Sequence, residues 1–226
     1  MSLIVRALAA SVVLAVVAVP AQARKTHHPP APPPASHADQ AGVFDYYVLS
    51  LSWSPTFCLT HRDNVQCDRH KGYGFALHGL WPQYARGGYP QDCDTRDRLT
   101  PEAVQFGLTI YPSPNLIDHE WPKHGTCSGL NALDYFKLSD GARTGIKIPP
   151  PLESPATARP MTAAQIGSAF VAANPGMPSK SVVVACSGPS LSEVRVCLSR
   201  DLRPVACGKG VTNSCRGGPI RIPAVR

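Results

Sequence analysis

The chain has 226 residues, 22 Lys plus Arg against 15 Asp plus Glu, a formal net charge of +7 with neutral histidines, and eight cysteines. A basic surface of this kind favours polyanionic partners, although many exported proteins share it, so charge supports a nucleic-acid partner without establishing one. No apolar run reaches the ~17 to 25 residues that cross a bilayer, and no Cys-x-x-Cys pair occurs, which argues against a membrane protein and against a structural zinc site.

In chain order, Arg6, the apolar run from Ala7 to Val19 and the small residues around Ala23 predict an export signal over 1–23. The protein is therefore expected outside the cytoplasm, periplasmic or secreted. Residues 24–42, with Pro29, Pro30, Pro32, Pro33 and Pro34, predict an extended spacer, and its His27, His28 and His37 read as solvated bystanders. Residues 43–226 suffice for one folded domain. All eight cysteines lie within it, an even count that marks a disulfide framework in an exported chain.

Phe44 to Ser52 reads as a mostly buried strand. His78 follows in Phe75-Ala76-Leu77-His78-Gly79-Leu80-Trp81-Pro82-Gln83. A lone histidine in such surroundings is ordinarily a buried, hydrogen-bonded one, and Trp81 ordinarily core. Thr100-Pro101-Glu102 offers a cap with proline at the first helical position, predicting a helix start. In His119-Glu120-Trp121-Pro122-Lys123-His124, Glu120 and His124 are four apart, as are His119 and Lys123. On a helix these four share an arc of roughly 140°, with Trp121 turned toward the core. Pro122 requires either that the helix begin near Asp118 or His119, with the cluster at its positive end, or that it be kinked there. A carboxylate between basic groups is expected to hold a low pKa and to raise that of its imidazole neighbour.

Thr162 with Gln165 forms a capping box before Ile166, Ala169 and Phe170, and Asn174-Pro175-Gly176 stops that helix. Ser181–Cys186 and Leu191–Leu198, around the turn Ser187-Gly188-Pro189-Ser190, predict a hairpin. A first strand, helices in the middle and strands at the end predict an α+β domain with a largely antiparallel sheet.

Three histidines, a glutamate and a lysine in two short stretches suit general acid-base cleavage of a phosphodiester that carries its own nucleophile, with no metal and no cofactor. A zinc protease needs His-Glu-x-x-His, whereas here the histidines of the second stretch are five apart. The two stretches, with Phe57-Cys58 after the first strand, closely resemble the ribonuclease T2 family of acid ribonucleases from Phe44 to about Cys215.

The resemblance implies a metal-independent endoribonuclease acting on single-stranded RNA through a 2',3'-cyclic phosphate. His124 would be the general base, His78 the general acid, Glu120 and Lys123 the stabilisers of developing charge, and His119 a phosphate contact. Trp81 and Tyr89 would stack a base. Gln83 stands where some relatives carry an aspartate that reads adenine, so broad base specificity is expected. The resemblance also implies the pairs Cys58–Cys67, Cys93–Cys127, Cys186–Cys215 and Cys197–Cys207, and a monomer is expected. The competing reading is a binding or signalling protein on the same fold without catalysis.

Overall fold

The computed structural model describes residues 40–68 and 70–225. The predicted export signal and most of the spacer lie outside the described residues. The fold begins with strand β1 (Tyr46–Trp53), the one-turn helix α1 (Ser54–Phe57) and strand β2 (Phe75–Gln83). Four helices follow, α2 (Pro101–Ile110), α3 (Pro114–Lys123), α4 (Ala132–Gly145) and α5 (Pro150–Glu153). Then come strand β3 (Arg159–Thr162), helix α6 (Ala163–Ala173), and strands β4 (Val182–Ser187), β5 (Ser190–Leu198) and β6 (Pro219–Ile222).

The sheet runs β2-β1-β5-β6-β3, with β4 also against β5. Every pairing is antiparallel except a single parallel contact, Ser190 with Arg221, between β5 and β6. The α+β class with a largely antiparallel sheet is thus what the structure has. β1 is the spine because its two faces differ: Leu49, Leu51 and Trp53 point into the core, while Ser50 and Ser52 alternate to the other side. Leu77 and Leu80 of β2 and Val194 and Val196 of β5 continue the apolar face, and Ile117, Trp121, Tyr135, Phe136, Ile166 and Phe170 of the helices cover it. Each fully buried side chain of this size stabilises the fold by ~1.5 to 3 kcal/mol. Two polar anchors cross the core: Tyr135 donates its hydroxyl to the Leu80 carbonyl at 2.8 Å, and Trp53 Nε1 donates to the Pro223 carbonyl at 3.1 Å.

The caps that the sequence offers are in place. Thr100 accepts from the Ala103 amide at 3.1 Å, and Thr162 and Gln165 close their capping box at both ends. α3 departs from expectation. It does not begin near Asp118 but at Pro114, where Ser113-Pro114 supplies an extended residue followed by proline at the first helical position. Pro122 is the penultimate residue of that helix, so His119, Glu120 and Lys123 sit at its carboxyl end, not at its positive end. Among the described residues, no helix is long and apolar enough to cross a membrane. Four disulfides join Cys58–Cys67, Cys93–Cys127, Cys186–Cys215 and Cys197–Cys207, the pairs that the resemblance implies.

Candidate active site

The polar face of the sheet forms one wall of the site. Where β1 meets β2, Ser50 pairs with Gly79 and Leu51 with Leu77, so His78 is an extra residue without a partner, a β-bulge. The bulge turns two consecutive residues, His78 and Gly79, toward the same side. Across β1 the neighbours are small, Ser50 and Ser52, and beyond them on β5 stand Arg195 and Glu193 in register. The imidazole therefore spans β1 and reaches Glu193.

His78 Nδ1 lies 2.7 Å from Glu193 Oε1, and His78 Nε2 lies 3.8 Å from Glu120 Oε1. The other Glu193 oxygen accepts from Arg195 Nε at 2.8 Å and pairs with its Nη2 at 2.7 Å. The Arg195 guanidinium in turn lies 5.2 Å from the centre of the Trp81 ring, a cation-π distance. An ionised carboxylate only accepts, so the proton between His78 and Glu193 sits on Nδ1.

The second wall is the end of α3. Trp121 lies in the core, as the helical spacing predicts, but Glu120, expected on the opposite arc, is fully buried as well. Glu120 Oε2 accepts from Trp81 Nε1 at 2.8 Å, which ties the helix to β2. Gly79 is required here, because a Cβ at that position would run into the Glu120 carboxylate and the Trp81 indole nitrogen. His124 does not complete a shared helical arc. It is the residue after the helix, with φ −125° and ψ −43°, and its ring turns toward Trp81 and Tyr89, whose centroids lie 5.3 and 5.8 Å away. Its Nδ1 has no hydrogen-bond partner among the described residues. His119 is exposed, with its ring 6.3 Å from that of His124.

Lys123 is held from one neighbouring loop residue: its Nζ pairs with Asp92 Oδ2 at 2.9 Å, and its carbonyl accepts from the Asp92 amide at 3.0 Å. The adjoining Cys93–Cys127 bond fixes the same loop to the turn after α3. Tyr89, in that loop, is 45% exposed, so one of its faces is open to a ligand. Gln83, by contrast, is buried at the end of β2, and its amide donates to the Pro82 carbonyl at 2.9 Å.

Environment drives these groups apart. Burial disfavours the charged form of His78, but the hydrogen bond and charge of Glu193, helped by Glu120, outweigh it and raise its pKa. His124 goes the other way, to about 3, through burial and then the positive charges of His119, Lys123 and His78. Glu120 is pushed up to about 7 by burial, against the pull of His78 and of the Trp81 hydrogen bond. The expectation of a low-pKa carboxylate that raises its imidazole neighbour is therefore wrong for Glu120 and His124. Burial outweighs the adjacent charges in the one, and in the other burial and then the neighbouring cations act in the same direction. Glu193 is the low carboxylate: burial opposes its charge, yet His78 and Arg195 hold it down to about 2.

Ligating atoms of His119, Glu120 and His124 converge to within 4.8 Å of one another, which their sequence spacing alone does not suggest. The Glu120 carboxylate in that cluster already accepts from Trp81 and faces His78. His78 also borders a cavity of about 270 Å³, lined by Ser52, Phe57, His61, Gln66, Leu116 and Glu193 among others. There His61 lies flat on Phe57, with centroids 4.1 Å apart and rings 3° from parallel.

Glu193, Arg195 and Asp92 are the site residues that sequence reasoning missed. A signal existed for two of them. In Leu191-Ser192-Glu193-Val194-Arg195-Val196, the alternation places opposite charges two apart on the polar face of a hairpin strand.

Residues 44–207 match the Ribonuclease T2 family. A ribonuclease of Aeromonas hydrophila is 52% identical over 105 residues, which is 46% of this chain and 47% of that protein; the chain thus spans about half the length of that relative. Ribonuclease DdI of Dictyostelium discoideum is 27% identical over 208 residues, 83% of this chain and 88% of its own. Among solved structures, an RNase-related protein from Calystegia sepium superposes with a TM-score of 0.66 at 25% identity, covering 81% of this chain and 98% of that one.

Proposed function

Because the chain belongs to the Ribonuclease T2 family, we propose that it is an exported endoribonuclease that cleaves single-stranded RNA without a metal, through a 2',3'-cyclic phosphate. His124 takes the proton from the ribose 2'-hydroxyl. The 2'-oxygen then attacks phosphorus, and His78 gives its proton to the departing 5'-oxygen. Both imidazoles end in the opposite state, which equips them to hydrolyse the cyclic phosphate with roles reversed.

The observation that carries this reading is the opposed pair of proton affinities. A base must be neutral and an acid protonated at the same pH. His124, at about 3, stays neutral well into acid, while His78, raised by its carboxylate neighbours, stays protonated there. Cleavage is then supported from just above pH 3 up to the pKa of His78, which lies above the ordinary imidazole value. Lys123 and Glu120, the latter protonated below its raised pKa of about 7, face the charge that builds on the phosphorane oxygens, and His119 contacts the phosphate. Lys123 must exchange Asp92 for that phosphate, a small cost because an exposed ion pair contributes only ~0 to 1 kcal/mol.

Trp81 and Tyr89 hold the base of the nucleotide that supplies the 2'-hydroxyl, since both rings flank His124. The cavity beside His78 receives the nucleotide on the leaving side. Gln83 is occupied by a backbone carbonyl, which supports broad base specificity. Four disulfides support an oxidising destination, periplasmic or secreted.

The test is digestion of mixed-sequence RNA from about pH 4 to pH 8 in excess EDTA, with the new 3' ends analysed for wild type and His124→Ala. Cyclic phosphate ends that disappear in the variant are expected. RNA binding without cleavage by the wild type would instead favour a binding protein on this fold.

A further inference from the structure

Glu193 lies outside both motifs and touches neither the phosphate contacts nor the base-stacking rings, yet it makes a close polar contact with a site histidine, 2.7 Å to His78 Nδ1. We propose that Glu193 is the positioning residue of His78, braced by Arg195, and that it fixes the imidazole with Nδ1–H bound so that Nε2 is presented to the leaving oxygen. This rests on the ribonuclease reaction proposed above.

Three features of the fold carry the inference. The bulge at His78 exists only because one residue too many is inserted opposite β1, and the side chain it releases crosses the two serines toward β5. Glu193 has one oxygen for His78 and commits the other to Arg195, so both oxygens are spoken for and the carboxylate has no freedom to swing. Arg195 is itself seated against the Trp81 ring. The chain of contacts His78, Glu193, Arg195, Trp81, Glu120 closes a ring around the imidazole. Its members come from β2, β5 and α3, so the orientation of His78 is determined by three elements at once.

The groups facing His78 are Glu193 and Arg195 from β5, Glu120 from α3, Trp81 from its own strand and, across the site, His124. His61 lines the same cavity as His78. Of these, Glu193 alone both bonds the ring and carries the opposite charge at short range. It therefore sets the tautomer and strengthens the hold on the proton together, an arrangement in which a carboxylate orients an imidazole without receiving its proton.

Glu193→Gln separates these roles from packing. The amide matches the carboxylate in shape but has a single acceptor for two donors, His78 and Arg195. It is expected to lower kcat by about 10- to 100-fold, in line with the loss of other partners that orient an imidazole, with KM for RNA within about twofold. The alkaline limb of the pH profile, where His78 loses its proton, should move to lower pH, and the His78 ring-proton titration read by NMR without RNA should move the same way. In a His78→Ala background the same substitution should cost nothing further. Should Glu193→Gln fail to fold, Glu193→Asp keeps the charge but draws it back by one methylene, and a smaller shift in the same direction is expected.

An unmoved His78 titration and an unmoved alkaline limb in the folded variant, with RNA still cleaved to cyclic phosphate by the wild type, would overturn the role of Glu193 and leave the reaction standing. A wild type that forms no cyclic ends while the variant still shifts His78 would overturn the reaction, and the positioning role with it.

Discussion

The two walls of the site hold the same kind of side chain in opposite ways. On the sheet side, His78 is half-exposed and gripped by a carboxylate that an arginine holds in place. On the helix side, His124 is buried, with no partner for its Nδ1 among the described residues and cations for neighbours. A strand with small residues beside it provides lateral room, so a charged partner can be brought from two strands away. A helix end packed on the core provides burial instead. The difference shows how one residue type acquires opposite proton affinities in the two walls, because the fold chooses which of solvation or charge dominates at each ring.

The contrast can be broken most completely by removing either ring. His78→Ala and His124→Ala are each expected to lower the cleavage rate by about 10²- to 10⁴-fold, measured as kcat/KM on a dinucleotide, and the double variant should lose far less than the product of the two. Next in size is Gly79→Ala, which drives a methyl into Glu120 and the Trp81 nitrogen and so forces the two walls apart. It should destabilise the protein by about 1 to 3 kcal/mol in chemical denaturation and also lower kcat, because the ring of contacts around His78 opens.

Asp92→Asn sharpens the comparison on the helix side alone. The Asp92 charge raises the pKa of His124 against burial and the neighbouring cations, so its neutralisation lowers that pKa further. Since the base must be neutral, the acid limb of the pH profile should move to lower pH while the alkaline limb stays. Stability should change by less than about 1 kcal/mol, because the lost pair is a surface one. Thr162→Ala is the smallest in activity. It removes a helix cap remote from both walls, so it should cost about 0.5 to 2 kcal/mol of stability with the pH profile unchanged.

Much of this molecule is legible in its sequence wherever a local rule governs it. The hairpin of β4 and β5, the caps at Thr100 and Thr162 and the buried strand β1 all follow from residues within a few positions of one another. Ser113-Pro114 carries as clear a start signal as Thr100-Pro101, and reading it would have put the His119 cluster at the carboxyl end of α3. What the sequence hides is sheet register. Nothing near His78 in the chain reveals that β1 will place Glu193 beside it, or that the register will slip by one residue there. Burial is hidden in the same way. Glu120 has basic neighbours in sequence, and from them a low pKa follows; in the fold its surroundings are Trp81, His78 and the core, and burial reverses the sign. Asp92 is a further case, since it reaches Lys123 only because the Cys93–Cys127 bond brings its loop to the end of α3.

The most direct test of the opposed walls is an NMR titration of the histidine ring protons in the wild-type protein, assigned with His78→Ala and His124→Ala. The expected result is that His78 loses its proton above the ordinary imidazole value of about 6.5, while His124 remains neutral until the pH falls toward about 3. Two histidines titrating together near the ordinary value, or His124 holding its proton to higher pH than His78, would contradict the account.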